Sequence, residues 1–300
     1  MPDGTLTVVG TGIKLVAQTT IEAREHIRLA DKAYFVVADP VTASWIRELN
    51  PLAESLHTCF AEGKPRYDSY TEVVERILES VRQGFRVCAV FYGHPGVFVY
   101  PSHEAIRRAR LEGYEAVMLP GISAEDCLYA DLGVDPARAG CQNFEATDFL
   151  VYRRRPDVFC SLILWQAGIL GVLDHASPER RPVGIEVLKE VLDEYYPSEH
   201  PVIIYEAAQY PVCQPRIEKT TLLGLLDCSL SPFSTLYLPP AAPLVVDRKM
   251  LKRLNMKAAP LYRIREGARL HRSPASKFSR SKSRHAQNEQ QSGRHRGEKF

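Results

Sequence analysis

Hydrophobic residues in the first 120 positions alternate between short continuous runs and segments in which they recur with helical spacing. Continuous runs predict strands, and helical spacing predicts helices. The predicted strands are 5–9, 33–37, 86–91 and 115–119, and the predicted helices are 20–30, about 68–83 and 102–113. Strands that alternate with helices are joined by right-handed crossovers, so this half predicts a mainly parallel sheet.

Three local details follow from the same pattern. Ile21 and Ile27 are expected to share the buried face of the first helix, and Asp39-Pro40 is expected to end the second strand. Asp68-Ser69 is expected to cap the next helix, with Gly84 beyond its end. The apolar face of that helix is predicted to consist of Tyr70, Val73, Val74, Ile77, Leu78 and Val81.

The pattern changes after Pro120-Gly121, which we interpret as a hinge between lobes. The predicted elements beyond it are helices at 123–132, 184–196 and 247–254 and strands at 143–151, 159–165, 202–206, 216–221 and 234–238. Many strands with few helices predict an α+β lobe on a mixed sheet. The expected division is therefore 1–120, 121–260 and a tail at 261–300.

Composition adds a contrast between body and tail. The chain has 300 residues, 45% of them hydrophobic and 25% charged, which is typical of a globular protein. Residues 261–300 hold 11 Lys and Arg against 3 Asp and Glu, a balance of +8, whereas 1–260 have a balance of −6. Because the tail has few aliphatic residues, we expect it to be disordered. It is interpreted either as a solvated tail or as an arm for nucleic acid or an anionic surface.

The cysteines and the apolar runs bear on the compartment. Seven scattered cysteines without a Cys-x-x-Cys pair favour a reducing compartment and argue against structural zinc. The longest apolar stretch, 160–173, is interrupted by Gln166 and is shorter than the roughly 20 residues that a membrane-spanning helix needs. No signal peptide is apparent in residues 1–20. We therefore expect a cytoplasmic protein without a membrane partner.

Three segments at predicted strand ends carry candidate chemistry. Gly10-Thr11-Gly12 permits a close backbone approach, but Leu15 stands where the dinucleotide fingerprint needs a third glycine. Asp39 is a candidate for the acid that binds a ribose, and a plain tight turn explains the glycines equally well.

The second and third segments are 91–98 and 119–125. The second places Tyr92 and His94 beside glycines at the carboxyl end of a strand, where open α/β sheets bind ligands. No histidine pair has metal-ligand spacing, so no metal is assigned. In the third, Ser123 is expected to cap a helix whose first amides favour an electron-rich ligand group.

Taken in order, these segments resemble the motifs of the tetrapyrrole methylase superfamily. Within it, longer stretches resemble the borosin peptide backbone α-N-methyltransferases over about residues 4–255. These stretches are 92–98, 119–128, 130–136, 144–149, 164–166, 204–207 and 233–240. The resemblance implies an α/β, two-lobed tetrapyrrole-methylase-like fold with S-adenosylmethionine bound between the lobes.

The resemblance also implies cofactor contacts. Together with the glycines and the cap, the candidate cofactor-binding residues are Gly10, Gly12, Tyr92, His94, Val97, Ser123, Ala124, Gln166, Ala207, Ser234 and Thr235. An adenine needs apolar walls and amide partners, and this set offers both. For Gln166, a satisfied amide within a core strand is the alternative interpretation.

The segment 63–71 resembles the borosin stretch that carries the catalytic groups, and it implies that Arg66 and Tyr70 do the chemistry. Arg66 would stabilise a developing oxyanion, and Tyr70 would act as base, directly or through water. His57 and Phe60 stand where fungal members carry two further tyrosines. His57 is a candidate polar substitute, whereas Phe60 has no proton to move.

The resulting prediction is a methyltransferase that α-N-methylates backbone amides of a ribosomally made peptide. Because 261–300 is basic rather than apolar, the chain resembles the split, bacterial kind, which acts on a separate precursor with a helical binding domain and forms a homodimer. One alternative is a corrin-precursor or protein-side-chain methylase of the same superfamily. A second is a noncatalytic nucleic-acid-binding protein that uses the basic tail.

Overall fold

We describe a computed structural model of the chain, in which residues 3–37, 39–172 and 184–256 are described. Residues Met1–Leu244 form one compact unit that contains both β-sheets, and a second unit begins at Val245. The tail predicted for 261–300 lies outside the described residues. The division into lobes at residue 120 stays a prediction.

The first sheet is parallel and has five strands in the order β3-β2-β4-β1-β5. The strands are β1 (Thr5–Gly10), β2 (Lys32–Val36), β3 (Glu54–Ser55), β4 (Arg86–Phe91) and β5 (Glu115–Met118). Their carboxyl ends meet at one edge, because Gly10 pairs with Phe91 and Val36 pairs with the same residue. The sheet therefore matches the predicted parallel half.

Helices cover both faces of this sheet. They are α1 (Ile21–Leu29), α2 (Pro40–Leu49), α3 (Arg66–Arg82) and α4 (Tyr100–Leu111). Helices α1 and α2 pack on one face through Ile27 and Ile46, and α3 and α4 pack on the other. The predicted apolar face of α3 is buried from Val73 to Val81, and Tyr70 at its start is half-buried.

The second sheet is mixed and has the order β6-β7-β10-β8-β9. Its strands are β6 (Cys141–Glu145), β7 (Ser161–Trp165), β8 (Pro201–Glu206), β9 (Arg216–Thr221) and β10 (Thr235–Leu238). Strands β6 and β7 are parallel, and the other neighbours are antiparallel. Helix α5 (Ala124–Leu132) packs on one face, and α6 (Ala146–Val151) and α7 (Gly184–Asp193) pack on the other. The α/β fold class with a parallel and a mixed sheet is confirmed.

Several local predictions are wrong, each for a physical reason. Ile21 is 85% exposed while Ile27 is fully buried, so the two do not share a face. Asp39-Pro40 starts α2 rather than only ending a strand, because the Asp39 carboxylate accepts from the amides of Val41 and Thr42. Helix α3 begins at Arg66, ahead of the expected Asp68-Ser69 cap.

The second half shows one such error. Of the predicted strand 143–151, only residues 143–145 belong to a strand, and residues 146–151 form α6. The helix starts here because the Glu145 carboxylate accepts from the amide of Asp148. The predicted last helix is present as α8 (Arg248–Arg253), which Asp247 caps. None of the helices within the described ranges is both long and apolar enough to cross a lipid bilayer.

Candidate functional site

The first part of the candidate site is the carboxyl edge of the parallel sheet. A methyl group on Gly10 would lie 2.0 Å from the carbonyl oxygen of Gly93, and Gly12 has a φ of +71° with Gln18 against it. The backbones of Gly12 and Gly93 exchange hydrogen bonds of 3.0 and 3.2 Å. Both glycines are therefore required by contacts between protein loops, and a ligand is not needed to explain them.

The loop after β4 contains three of the candidate residues, Tyr92, His94 and Val97. The amide of Gly96 donates to Nδ1 of His94 at 2.9 Å, so the neutral ring carries its proton on Nε2. The ring of Phe98, held at a φ of +55°, lies 6.0 Å from the ring of Trp165 on the second sheet. Burial raises the pKa of Tyr92 to about 12, so its hydroxyl stays protonated.

The start of α5 behaves as predicted for a cap. The hydroxyl of Ser123 accepts from the amide of Asp126 at 3.2 Å, and the Asp126 carboxylate accepts from the amide of Ser123 at 2.7 Å. This capping box already uses the hydroxyl of Ser123 and the amide of Asp126, two polar groups that were expected to face a ligand. Ala124 is half-buried beside the core that α5 shares with the second sheet.

The second part of the site is one edge of the mixed sheet. Leu164 pairs with Leu236 and Tyr205 pairs with Thr235, so the carboxyl ends of β7 and β8 lie beside the amino end of β10. The candidate residues at this edge are Gln166, Ala207, Ser234 and Thr235. The structure therefore brings together four residues from three separate segments of the sequence.

Gln166 lies just beyond β7, in agreement with the predicted strand 159–165. It is therefore not part of a strand. Its backbone is left-handed, with φ 59° and ψ 33°, and the next amide, that of Ala167, donates to the carbonyl of Ser234 at 3.0 Å. A non-glycine residue rarely adopts this conformation, which costs about 1 kcal/mol. The side chain is half-buried, so the interpretation of Gln166 as a satisfied amide within a core strand does not hold.

Ser234 belongs to a polar cluster around Glu206, which we call the Glu206 network. The Glu206 carboxylate accepts from the hydroxyls of Ser234 and Ser231 at 2.6 and 2.8 Å and from Arg216 at 2.8 Å. Burial acts to raise the pKa of Glu206, but these donors outweigh it and hold the pKa below the ordinary value. The hydroxyl of Ser234 thus has a structural partner at the site edge.

The two edges contact each other. Ile13, Tyr92 and Ala124 from the first edge lie in one apolar cluster with Trp165 and Ala207 from the second. A direct hydrogen bond also joins the loops that follow β1 and β8, because the amide of Leu15 donates to the carbonyl of Gln209 at 2.9 Å. The two edges that carry the predicted cofactor residues are therefore in contact through Tyr92, Ala124 and Ala207.

A chain of hydrogen bonds fixes Trp165 beside Gln166. Nε1 of Trp165 donates to Oδ1 of Asn143 at 3.1 Å, and Nδ2 of the same side chain donates to the carboxylate of Glu125 at 2.8 Å. Glu125 lies in the first turn of α5 and also accepts from Tyr129 at 2.5 Å. The start of α5 and the end of β7 are thus held together.

Asp39 does not fit the role of a ribose-binding acid. One of its oxygens accepts from the two α2 amides and from the hydroxyl of Tyr210 at 3.0 Å. The other oxygen accepts from the hydroxyl of Thr42 at 2.6 Å. Both oxygens therefore have protein donors, and Asp39 is a helix cap.

The candidate catalytic pair lies in the first turns of α3. Arg66 is the first residue of the helix and Tyr70 lies four residues later, so both are on one face. The Tyr70 ring lies between two aromatic neighbours, 6.2 Å from Phe60 and 6.1 Å from Tyr100. Because Tyr100 lies two residues after the 92–98 loop, it connects the pair to the candidate cofactor site.

His57 is placed one ring further away. Its Nε2 donates to the carbonyl of Val37 at 2.7 Å, and its ring lies 6.1 Å from Phe60. Phe60 contacts both His57 and Tyr70, so the imidazole is separated from Tyr70 by a phenyl ring. As a replacement for a base beside Tyr70, His57 is poorly placed.

Some site residues were missed by sequence reasoning. Gln18 accepts from the amides of Ile13 and Lys14 at 2.9 and 2.8 Å and so fixes the loop after β1. Tyr100 and Glu206 were missed as well. Only Glu206 had a usable signal, as a charged residue at the end of an apolar strand, since the contacts of Gln18 and Tyr100 are tertiary.

A cavity of about 330 Å³ lies away from this site. Its lining includes Thr5, Arg86 and Glu115, which are the first residues of β1, β4 and β5, and His26 of α1. It is therefore at the amino-terminal edge of the parallel sheet and contains none of the predicted site residues. The chemistry of the motifs lies at the opposite edge.

Comparison with known families now identifies the fold family. The profile of the tetrapyrrole (corrin/porphyrin) methylases matches residues 5–223. The chain belongs to the tetrapyrrole methylase family. This match confirms the predicted resemblance to the tetrapyrrole methylase superfamily.

The chain is similar in sequence to several fungal proteins. The chain is 42% identical over 260 residues to a methyltransferase/ribosomally synthesized cyclic peptide gymnopeptides precursor from Gymnopus fusipes, covering 85% of this chain and 62% of that protein. It is 40% identical over 257 residues to the omphalotin A methyltransferase/precursor from Omphalotus olearius, covering 84% and 62%. A type III borosin precursor from Anomoporia bombycina is 41% identical over 88% of this chain and 31% of its own length.

The chain thus spans about three fifths of the first two relatives, in which methyltransferase and precursor are named as one protein. The expectation of a split, bacterial enzyme finds no support in these relatives.

Solved structures support the fold. A uroporphyrin-III C-methyltransferase from Thermus thermophilus has a TM-score of 0.58 at 18% identity, covering 82% of this chain and 99% of that one. A cobalt precorrin-4 methyltransferase has a TM-score of 0.55 at 15% identity, covering 79% and 95%. One structure of the Thermus enzyme contains S-adenosylhomocysteine.

Proposed function

We propose that this chain methylates backbone amides of a peptide, with S-adenosylmethionine as the methyl donor. The observation that carries the proposal is the position of Tyr70, half-buried, on the same face of α3 as Arg66 and in ring contact with Tyr100 after the 92–98 loop. Relatives that are 40 to 42% identical and are named as methyltransferases and cyclic peptide precursors support a peptide acceptor.

The residues at the two sheet edges fit the proposed donor. Tyr92, Ala124 and Ala207 supply partly apolar walls, and Nε2–H of His94 and the amide of Gln166 supply polar partners. The left-handed backbone at Gln166 favours a functional role, because this conformation is retained at a cost where glycine would be free of strain. S-adenosylmethionine supplies an electrophilic methyl group on a sulfonium sulfur.

The acceptor requires activation by the protein. A backbone amide nitrogen is a poor nucleophile until its proton leaves and negative charge moves toward the carbonyl oxygen. In this proposal Tyr70 takes the proton, directly or through water, and Arg66 stabilises the charge on the oxygen. The planar guanidinium holds two oxygens at once, which a lysine ammonium does not, so Arg66→Lys is expected to lower the rate.

Peptide methylation tests the proposal directly. A pool of 12-residue peptides of Val, Ile, Leu, Ala, Gly, His and Lys is supplied free and, in a second set, joined to Phe300 by a flexible linker that raises its effective concentration. Tandem mass spectrometry places each methyl on a backbone nitrogen or a side chain. Tyr70→Phe should lower backbone methylation by roughly 10² to 10⁴. Tyr114→Phe, a tyrosine against the core of the same sheet, is the matched control.

The outcomes separate the possibilities. Methyl groups on backbone nitrogens support the proposal, and their loss in Tyr70→Phe supports the role of that hydroxyl. Wild-type protein that binds the donor and methylates neither peptide set, or only side chains, contradicts it. Equal rates in wild type and Tyr70→Phe contradict the mechanism.

The peptide source and the assembly complete the proposal. We retain a separate precursor with a helical binding domain and a homodimer, both resting on the family resemblance. Methylation of the free peptides supports a separate precursor, whereas methylation confined to joined peptides contradicts it. Sedimentation of the purified chain as a single copy contradicts the homodimer.

A further inference from the structure

Asn143 is a polar residue on an apolar face of the mixed sheet. It is the middle residue of β6 and pairs with Ile163, which, like Trp165, belongs to the apolar cluster that this face shares with α5. A half-buried amide in such surroundings is costly unless its polar atoms have partners. The partners of the Asn143 amide therefore indicate what the residue does.

Both polar atoms of this amide have a partner. Oδ1 accepts from Nε1 of Trp165 at 3.1 Å, and Nδ2 donates to the Glu125 carboxylate at 2.8 Å. Because an indole N–H can only donate and a carboxylate can only accept, these two partners fix the orientation of the amide. Glu125 in turn accepts from the hydroxyl of Tyr129, one turn further along α5. The position thus requires one acceptor and one donor, of which an aspartate supplies only the acceptor.

Trp165 joins this amide to the candidate donor site. Its side chain is 8% exposed, and its ring centroid lies 6.0 Å from that of Phe98, with the planes tilted by 47°. The apolar cluster around Trp165 also contains the proposed walls of the donor site, Tyr92, Ala124 and Ala207. A change in the orientation of the indole would therefore reach both sheet edges.

Phe98 connects Trp165 to the 92–98 loop. It is the last residue of that loop and has a left-handed backbone, with φ +55°. This conformation is unfavourable for a residue with a Cβ atom and persists where surrounding contacts hold it. The Phe98 ring is 54% exposed, and its contact with Trp165 anchors it to the buried cluster. The position of the indole thus bears on the loop that carries His94 and Val97.

We propose that Asn143 is a positioning residue for the methyl-donor site. Its two hydrogen bonds hold the Trp165 indole relative to Glu125 on α5, and the indole holds the Phe98 end of the 92–98 loop against the end of β7. The inference rests on the donor site of the proposed function and adds a residue that the predicted site did not contain.

Two variants separate these hydrogen bonds from packing. Asn143→Asp keeps the size of the side chain and an acceptor for Trp165, but it turns a second oxygen toward the Glu125 carboxylate, and the like charges repel. The double variant Asn143→Asp/Glu125→Gln restores one donor and one acceptor in the reverse order. Tyr34→Phe is the control, because it removes a buried hydrogen bond of 2.7 Å to Ser80 under the parallel sheet, outside the network.

Titration and a spectroscopic signature measure the effect on the full chain. With S-adenosylhomocysteine, we expect Asn143→Asp to weaken binding roughly 10-fold, as for one lost hydrogen bond, and the double variant to recover most of that loss. In protein labelled with ¹⁵N at tryptophan Nε1, the Trp165 signal, assigned through Trp45→Phe, should move in Asn143→Asp and return toward its wild-type position in the double variant. Tyr34→Phe should change neither the affinity nor the signal.

Three results would overturn the inference. The first is an affinity of Asn143→Asp within about 2-fold of wild type. The second is a Trp165 signal that stays in place, because the indole then does not depend on Asn143. The third is a double variant that binds as weakly as Asn143→Asp. Where Asn143→Asp does not fold, the double variant decides, since near wild-type affinity supports the inference and weak binding or unfolding overturns it.

The same measurements keep this inference apart from the proposed function. Donor binding that responds as expected, in a protein that methylates no peptide, contradicts peptide methylation and leaves the role of Asn143 in place. Peptide methylation with unchanged donor affinity in Asn143→Asp overturns only the role of Asn143. Wild type that binds no S-adenosylhomocysteine overturns both.

Discussion

The two sheet edges that form the candidate site are built by opposite means. At the edge of the parallel sheet, glycines let loops approach closely, as Gly10 does against Gly93. At the edge of the mixed sheet, side chains hold the structure, through the Glu206 network and through Gln166 in a left-handed conformation. One edge of the site therefore depends on glycines, which have no side chain to keep the loops apart. The other edge depends on polar side chains that fix the backbone.

The parallel edge should be the less tolerant of substitution. Gly10→Ala would place a methyl group 2.0 Å from a backbone oxygen that has no flexible end to move aside. We expect the free energy of unfolding to fall by about 3 kcal/mol or more and donor binding to be lost. Thermal melting and calorimetry measure both effects.

Gly113→Ala is the matched control. Gly113 has a φ of +88°, but its added methyl group would meet open space. Gly113→Ala should lower the free energy of unfolding by only about 1 kcal/mol, and donor binding should persist. Equal losses in the two variants would contradict the contact with the Gly93 carbonyl as the reason why residue 10 has to be glycine.

The mixed edge should depend on pH through Glu206. Because its pKa is held below the ordinary 4.5, the carboxylate contributes stability above that value, and this contribution is lost as the pH falls through the lower folded pKa. Glu206→Gln should lower stability by about 1–3 kcal/mol at pH 7. The gap from wild type should close in acid.

Denaturant unfolding of both proteins between pH 7 and pH 3 measures that gap. Glu190→Gln, an exposed change on α7, is the control and should follow wild type throughout. A gap that stays constant with pH would contradict the assignment of the charge on Glu206 as the stabilising feature.

The smallest effect is expected for Gln166→Gly, which should raise the stability of the fold and weaken donor binding. Gln166→Gly removes a side chain from a left-handed position, so it should stabilise the fold by about 0.5–1 kcal/mol and weaken donor binding. Arg153→Gly is the matched control, since Arg153 is exposed with a φ of +49° and lies away from the named site residues. It should stabilise the fold without a change in binding. Stability gained with unaltered binding in Gln166→Gly would remove this residue from the site.

The two edges also differ in what the sequence could predict. Strands β1, β4 and β5 follow from continuous apolar runs, and in a parallel sheet their carboxyl ends must meet at one edge, so the first three motifs could be placed together. In the mixed sheet, Gln166 and Ser234 meet because β10 is antiparallel to β7, and no local pattern contains that pairing.

Other errors arose where tertiary structure decided between local options. Asp39-Pro40 has the chemistry of both a strand end and a helix start, and the amides of Val41 and Thr42 settle it as a start. Ile21 fits a helical pattern but lies outside the face that α1 buries. Tyr100 belongs to the site only because α4 packs beside α3, which spacing along the chain does not show.

The most direct test of the central claim is donor binding across both edges. Isothermal titration of S-adenosylhomocysteine should give one site per chain in wild type. His94→Ala at the first edge and Gln166→Ala at the second should each weaken it, and the double variant should bind most weakly. No measurable heat with wild type, or wild-type affinity in both single variants, would contradict the account that the two edges form one methyl-donor site.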